Sequence, residues 1–329
     1  MKQVRPMASV TTLHIDSFDP AIMQETVRGA AFEHTQLARG RFRARLLSAQ
    51  LEKQRLDCGR YNLPLHARGP MPDTHVTLGF VLNGEGPAVF NGYEIARPTP
   101  VVLSERTELD YRMAPGSEWL AFQVKRESLE RVGIVLRDQL NDIIDIRPHD
   151  QRQLRHHMLR AIAGLNETVE GGSEILVRDA FCDNQIEGIF DAFCAALQCN
   201  TSQQPMHPHH PKHLHRLAKR AVDYFDAHYG DTIHIGLICD ELGTSWKTLQ
   251  RAFSRLYGTT PKRYLDFLRL AKARRLLLSH ESKRSVAEIA GSCGITHLGR
   301  FAQLYRDTYG ESPSETTGRS NRRLRDAGR

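Results

Sequence analysis

The chain has 329 residues and a net charge of +7, with 40% hydrophobic and 25% charged residues. Its mean hydropathy of -0.45 is that of an ordinary globular protein, and its length suffices for two domains that each bury a core. The first 25 residues hold no sustained apolar run, and no stretch approaches the roughly 18 apolar residues that span a bilayer. We therefore expect a cytoplasmic protein without a signal peptide or a membrane segment.

Charge and cysteine usage narrow the class of protein further. Residues 212–329 carry 22 basic and 12 acidic groups, whereas residues 1–211 carry 23 and 26. A basic part joined to a nearly neutral one is typical of a polyanion-binding module attached to another domain, although a solvated surface with a basic tail is the alternative.

The six cysteines form no CxxC pair, which predicts buried free thiols rather than a zinc site or disulfides.

Residues 40–125 are predicted to be rich in β-structure. Short apolar runs such as THVTLGFVLNG and WLAFQVK alternate with turn signals. The turn signals are Asn83-Gly84, Asn91-Gly92 and Pro115-Gly116. This rhythm predicts a small antiparallel sheet or barrel. Aromatic residues in it are expected either to line a pocket or to fill the core: Phe80, Tyr111, Trp119 and Phe122.

Residues 150–197 predict two helices broken by Gly171-Gly172. The second is expected to include Ile175 and to continue with apolar residues at helical spacing as far as Leu197. Such a pair either covers the sheet or forms the seam of a dimer.

Residues 199–213, CNTSQQPMHPHHPKH, are predicted to be an interdomain linker because they hold three prolines and no apolar period. The interleaved prolines deny the histidines a fixed spacing, so no metal site is predicted there. The expected organisation is one domain at 1–198, this linker, a second domain at 214–318 and a basic tail at 319–329.

The C-terminal region contains an internal repeat. Residues 235–243, IGLICDELG, match residues 286–294, VAEIAGSCG, at an offset of 51. Each has apolar residues at its first, fourth and eighth positions, a small residue at its fifth and a closing glycine. This pattern predicts a short amphipathic helix that ends in a tight turn, where glycine tolerates the left-handed conformation.

A second helix is predicted after each turn, and it carries one apolar stripe. The two stripes are Leu249, Phe253 and Tyr257, then Phe301, Tyr305 and Tyr309. A helix, a glycine turn and a second helix make a helix-turn-helix unit, so two such units are predicted in tandem. Residues 262–279 predict a stiff connecting helix that lets two readers span about 20 base pairs. Lys272, Arg274 and Arg275 on it are expected to meet phosphates or to serve solubility alone.

Several residues fall off each apolar stripe and are candidates for contact with DNA: Trp246, Lys247, Gln250 and Arg251 in the first unit, and His297, Leu298, Arg300 and Gln303 in the second. Arginine donates two hydrogen bonds to guanine, glutamine pairs with adenine, and apolar groups meet the thymine methyl. A solvated helix face is the alternative for each residue taken alone.

Residues 216–317 resemble the AraC/XylS family of bacterial transcription regulators. The resemblance rests on SWKTLQRAFSRLYGTTPKRYLDFLRLAKARRLLL and SVAEIAGSCGI…FAQLYRDTYGESP. It implies a seven-helix DNA-binding domain that usually activates transcription through RNA polymerase. The base-reading positions it implies are Trp246, Lys247, Gln250 and Arg251, then Leu298, Gly299, Arg300 and Gln303.

The second motif departs from the family. Gly299 lies inside the predicted recognition helix, where glycine costs about 0.5–1 kcal/mol relative to alanine and offers no side chain to a base. Ser-Glu-Thr-Thr follows Pro313 in place of the family's usual aromatic residue and arginines. We therefore expect base readout mainly from the first motif.

The N-terminal part is less distinctive. The family often carries a cupin-like sensor there, which binds a small effector and sometimes dimerises; residues 40–52 are similar to ethanolamine-utilisation regulators. His66 and His75 do not form the His-x-His pattern of metal-holding cupins.

The sequence thus predicts an α+β protein. Residues 1–198 are expected to form a cupin-like antiparallel β domain with a helical pair, which serves regulation and effector binding and is a candidate for dimerisation. Residues 214–318 are expected to form an all-α DNA-binding domain with two helix-turn-helix motifs. We expect a sequence-specific transcription regulator, an activator, that is modulated by a small molecule or a protein partner. No catalytic residue, cofactor or metal is predicted. The alternatives are a sequence-indifferent architectural DNA-binding protein and a cupin-type enzyme with a DNA-binding appendage.

Overall fold

The computed structural model describes residues 8–24, 26–50, 54–95, 100–136, 141–143, 148–168, 175–177, 180–198, 212–279 and 284–319. The strands are β1 (Ala8–Ile15), β2 (Glu33–Gln36), β3 (Ala44–Gln50), β4 (Gln54–Tyr61), β5 (Leu65–Pro70), β6 (Val76–Asn83), β7 (Ala88–Phe90), β8 (Tyr93–Ile95), β9 (Pro100–Leu103), β10 (Glu108–Met113), β11 (Glu118–Val124), β12 (Asn141–Ile143) and β13 (Ile175–Val177). The helices are α1 (Pro20–Gln24), α2 (Arg126–Glu130), α3 (Pro148–Thr168), α4 (Ala180–Gln198), α5 (Lys212–His228), α6 (Ile235–Glu241), α7 (Trp246–Tyr257), α8 (Pro261–Leu278), α9 (Val286–Ser292) and α10 (Leu298–Tyr309). A last helix follows at residues 313–319. Within these segments, none of the helices combines the length and the apolar character needed to cross a membrane.

Two antiparallel sheets form the N-terminal domain. One has eight strands in the order β12-β9-β6-β11-β4-β3-β1-β13, and the other has five in the order β2-β5-β10-β7-β8. Alternate side chains from both sheets, such as Leu65, Tyr111 and Trp119, are buried in one cluster between them, as the period of two in a strand requires. The predicted cupin-like antiparallel β domain is confirmed.

The predicted turns have a clear physical basis. Asn91 and Gly92, between β7 and β8, have φ angles of 47° and 82°. A two-residue hairpin turn in which both φ angles are positive matches the twist of the flanking strands, and Asn-Gly is the pair that adopts it most readily.

The helical pair covers the outer face of the larger sheet. Met158 of α3 and Phe193 of α4 are fully buried in the same cluster as Leu78 and Phe122 of the sheet. The predicted start of the second helix is wrong, however, because Ile175 lies in β13, where it pairs with Val10 of β1. Three residues are enough to extend the edge of a sheet, but a strand this short shows no recognisable alternation of apolar and polar residues in the sequence.

The C-terminal helices pack directly against the β domain. Phe18 stacks on Tyr309 of α10 with ring centroids 6.0 Å apart, and Phe267 of α8 joins the cluster that fills the space between the sheets. Gln36 donates a 2.9 Å hydrogen bond from Nε2 to the carbonyl of Thr308. The predicted linker lies outside the described residues up to position 211, and α5 begins at Lys212.

The cysteines whose side chains are described are buried free thiols: Cys58, Cys194, Cys239 and Cys293. Cys182 and Cys199 lie outside the side chains that the structure describes. Within the described residues, no group of three or more His, Cys, Asp and Glu side chains is arranged to hold a metal ion.

Candidate nucleic-acid interface

The first helix-turn-helix unit consists of α6 and α7. Gly243 between them has a φ of +61°, the left-handed conformation expected from the sequence. The amide of Thr244 donates to the carbonyl of Cys239 at 2.8 Å, which closes the turn. Ser245 then caps α7 by accepting a hydrogen bond from the amide of Thr248 at 3.2 Å.

The second unit, α9 and α10, repeats this geometry. Gly294 has a φ of +69°, and the amide of Ile295 donates to the carbonyl of Ala290 at 3.0 Å. A Cβ atom on Gly294 would lie 2.5 Å from the carbonyl oxygen of Tyr229, so both the backbone angle and the packing require glycine here. The small residues at the fifth position of each repeat, Cys239 and Ala290, are thus the acceptors of equivalent turn bonds.

Both predicted apolar stripes are buried. Phe253 and Tyr305 are fully buried, and the other four stripe residues expose at most 3% of their surface. Each second helix ends on a left-handed glycine, Gly258 or Gly310, with φ angles of 67° and 76°. The repeat found in the sequence is therefore a repeat in three dimensions, with seven helices from Lys212 to residue 319 among the described residues.

All nine candidate DNA-contacting residues are exposed on the surface: Trp246, Lys247, Gln250, Arg251, His297, Leu298, Gly299, Arg300 and Gln303. Trp246 and Leu298 expose 45% and 47% of their surface, so both apolar side chains are accessible to a partner. The structure brings each set together on one helix and its N-terminal end. Their contact with bases stays a prediction.

In the second unit, the side chain of Gln303 forms a hydrogen bond within its own helix. Its Nε2 donates to Oδ1 of Asp307 at 2.6 Å, one turn along α10. Arg300 and Gln303 line a groove of about 370 Å³, together with Arg263 of α8 and Arg39 of the N-terminal domain. Arg39 forms a 3.2 Å ion pair with the other oxygen of the Asp307 carboxylate. The sequence did not predict a role for Arg39, because its proximity to α10 depends on how the two domains pack.

Lys272, Arg274 and Arg275, predicted to meet phosphates or to serve solubility, are instead held by groups of the protein itself. Lys272 forms ion pairs with Glu33 at 3.0 Å and Asp226 at 2.7 Å, and Arg275 pairs with Glu33 at 3.0 Å. Burial raises the pKa of Glu33, but the two cations outweigh it and the net pKa is lowered. These residues join α8 to the N-terminal domain, a role that helix periodicity alone does not indicate.

Arg274 is fully buried at the point where three parts of the chain meet. Its guanidinium donates to the carbonyl of Phe18, to Tyr305 Oη at 2.8 Å and to Glu311 Oε1 at 2.7 Å. It also lies 4.4 Å from the centroid of the Tyr309 ring. A buried guanidinium with this many partners is a structural junction between the β domain and the second motif.

A second junction connects the domains through Tyr264 of α8. Its hydroxyl lies 2.7 Å from His66 Nδ1, and His66 Nε2 lies 3.1 Å from Asp110 Oδ1. Burial raises the pKa of Asp110, but the charge and hydrogen bond of His66 bring the net pKa below its usual value. The histidine that lacks a metal-binding pattern in the sequence thus carries a hydrogen-bonded link between domains.

Between the sheets lies a cavity of about 50 Å³, lined by Phe80, Tyr111 and Trp119 among other apolar residues. Phe122, the fourth aromatic residue considered for a pocket, is instead fully buried beneath the helical pair. Ligand pockets commonly measure about 300–1,000 Å³, so this cavity as it stands holds little more than water-sized groups.

A tandem pair of helix-turn-helix units with exposed second helices defines a DNA-binding domain of the two-motif class. Residues 238–319 match the family described as "Helix-turn-helix domain". The chain is 40% identical over 100 residues to a probable thc operon regulatory protein of Rhodococcus erythropolis, and 38% identical over 94 residues to the HTH-type transcriptional activator RhaS of Escherichia fergusonii. These alignments cover 30% and 29% of this chain.

A solved structure is also similar to part of this chain. It is the crystal structure of a probable AraC family transcriptional regulator from Rhodopseudomonas palustris, 33% identical with a TM-score of 0.31, matched over 32% of this chain and 97% of that one. The C-terminal part of this chain is a helix-turn-helix DNA-binding domain, and it is similar to these two regulators and to this AraC family protein. The chain spans about a third of the length of the two curated relatives it matches, 30% and 33%.

Proposed function

We propose that the protein is a sequence-specific DNA-binding transcription regulator that acts as an activator in the cytoplasm. The observation that carries the proposal is the pair of exposed recognition helices, α7 and α10, which follow identical turns and are joined by the buried helix α8. Two readers held by one stiff element suit two successive major grooves of a duplex.

Within this function, the first motif supplies most of the base readout. Arg251 and Gln250 are exposed on α7 and carry the donor and acceptor groups that distinguish guanine and adenine. In the second motif, Gly299 has no side chain and Gln303 shares its amide with Asp307. Among the candidate residues of that helix, Arg300 is exposed and can donate two hydrogen bonds to one base.

The N-terminal domain acts as the regulatory part, modulated by a small effector or a protein partner. The junctions at Tyr264 and Arg274 support this role because a change in the β domain reaches α8 and α10 through direct contacts. A small effector must enlarge the cavity between the sheets, whereas a protein partner needs no such opening. RNA polymerase is the expected partner of an activator, and a homodimer through the outer side of the helical pair is compatible with this arrangement.

Two experiments test the function. The full chain is used to select duplexes from a random pool, and genome-wide occupancy is measured in the native cell with and without residues 212–329. We expect one enriched sequence, preferred over random duplex by at least ~10³-fold, and a few sharp genomic sites that disappear on truncation. No enrichment and equal affinity for every duplex would instead identify a sequence-indifferent architectural protein.

A further inference from the structure

Exposed arginines of the N-terminal domain form a row that begins beside the second recognition helix, where Arg39 pairs with Asp307. Four of them alternate along the chain from the β2–β3 loop into β3, and a fifth lies on β4. We call these residues the basic edge: Arg39, Arg41, Arg43, Arg45 and Arg60. Between them, Phe42 and Ala44 are buried in the core, so the alternation directs Arg43 and Arg45 outward.

The basic edge is held in place next to α10. The amide of Gly40 donates to the carbonyl of Asp307 at 2.8 Å, and Arg39 forms its ion pair with the side chain of the same residue. Arg41 lies 3.7 Å from the position of a Cβ atom on Gly310, the residue that ends α10. These contacts place the end of the basic edge formed by Arg39 and Arg41 beside the recognition helix.

Arg39 shares the DNA-facing groove of the second motif. It lines the same groove as Arg263, Arg300 and Gln303, and its side chain is 57% exposed despite the ion pair. Asp307 accepts from both Arg39 and Gln303, so the N-terminal cation lies on the same side of α10 as the predicted base-reading amide.

Like charges face each other across the strands of the basic edge. Arg45 of β3 is directly opposite Arg60 of β4. Basic groups in directly opposed positions destabilise a sheet, and the 3.6 Å pair of Arg60 with Glu118 offsets only part of this charge. Two residues further along β3, Leu47 is buried with the helical pair, whereas the Arg45 position is left exposed. A concentration of positive charge on an uncovered surface favours a polyanionic partner.

We propose that the basic edge binds backbone phosphates of the operator, on the duplex that flanks the half-site of the second motif. The inference rests on the proposed function and extends it, because it makes the N-terminal domain part of the DNA-binding surface. The occupant is the same duplex that α10 meets: the edge is continuous with the α10 groove, and its charge is opposite to that of the phosphates. Such contacts add affinity and fix orientation without reading sequence.

The test uses the full chain carrying both Arg43→Gln and Arg45→Gln, with the duplex selected from the random pool as the probe. Affinity is measured by fluorescence anisotropy over a series of salt concentrations. Because each phosphate contact contributes about 0.9 to the slope of log K against log salt, we expect the slope to become shallower by about 2. The matched control carries Arg131→Gln and Arg152→Gln, which remove the same charge from exposed positions at the end of α2 and on α3, and it should keep the wild-type slope.

A second measurement separates DNA from an acidic protein partner. When the duplex is shortened by about five base pairs beyond the half-site of the second motif, wild-type affinity should fall and that of the double variant should not. Arg39→Gln should behave as a weaker version of the double variant. Wild-type slope and equal sensitivity to shortening in the double variant would overturn the proposal. Failure of the proposed function would be visible separately, as the absence of any enriched duplex.

Discussion

At the scale of single residues, exposure and pairing decide which cations of the C-terminal domain are available to DNA. Lys247 and Arg251 are exposed on α7, whereas Lys272 and Arg275 are held by Glu33 and Arg274 is fully buried. All five have the same charge in the sequence. Of these five, only Lys247 and Arg251 are fully on the exposed surface, while the other three are partly or wholly buried in contacts within the protein.

Replacing Arg251 by alanine should therefore affect DNA binding and not folding. We expect a cost of about 1–3 kcal/mol on the selected duplex, with relaxed preference at one base pair, because a bidentate contact with guanine is lost. Competition binding against duplexes varied at each position measures this. Arg220→Ala, at an exposed arginine of α5, is the matched control; an equal loss for Arg251→Ala on selected and random duplex would mean that Arg251 contacts only phosphate.

At the scale of elements, each recognition helix depends on a stripe of aromatic residues. In α7, Phe253 packs against Tyr257 with ring centroids 5.2 Å apart. In α10, Phe301 and Tyr305 are 5.6 Å apart. Because such residues fill the space between the two helices of a unit, the position of the exposed face depends on them.

Phe253→Ala or Phe301→Ala should each lower the free energy of unfolding by roughly 3–5 kcal/mol, because both side chains are buried and a cavity remains. Urea unfolding followed by circular dichroism measures the change. Trp246→Ala is the comparison, since Trp246 is 45% exposed: its stability should stay within about 0.5 kcal/mol of wild type. Wild-type stability of either phenylalanine variant would contradict the assignment of the stripes.

Local signals explain which elements the sequence could predict. The glycine turns, the stripes and the exposed faces depend on residues within one repeat, and all of them are found as expected. The three-residue strand at Ile175 is defined by its partner β1, far away in sequence. The same is true of Arg39 beside α10 and of Lys272 beside Glu33, since the approach of the two domains involves residues more than 200 positions apart.

At the scale of the whole molecule, the two domains share one core and a set of buried polar links. His34 is buried against this core, where its Nε2 lies 3.0 Å from the hydroxyl of Tyr111. Burial, with a smaller contribution from the nearby charge of His66, lowers the pKa of His34 from 6.5 to about 3. The folded protein therefore keeps this imidazole neutral in mildly acidic solution, while the unfolded chain takes up a proton below pH 6.5.

This difference predicts a loss of stability as the pH falls. The contribution of His34 is absent above pH 6.5 and lowers the free energy of unfolding by about 1.4 kcal/mol per pH unit between pH 6 and pH 4. Urea unfolding of wild type and His34→Gln at several pH values isolates it, since carboxylates such as Glu33 contribute equally to both. The wild-type slope should exceed that of the variant by about one proton, and parallel slopes would show that His34 is protonated in the folded state.

The fixed length of the connecting helix α8 limits the spacing of the DNA half-sites that the protein can bind. Its 18 residues span about 27 Å as a helix, and it is anchored at Tyr264 and again at Arg274. Because α8 is anchored near both of its ends, it sets the distance and the rotation between the recognition helices α7 and α10. One extra base pair between the half-sites turns one of them by about 34° around the duplex axis, at about 10.5 base pairs per turn. Duplexes that this protein binds through both motifs should therefore keep the two half-sites in constant helical phase, whatever the sequence of the bases between them.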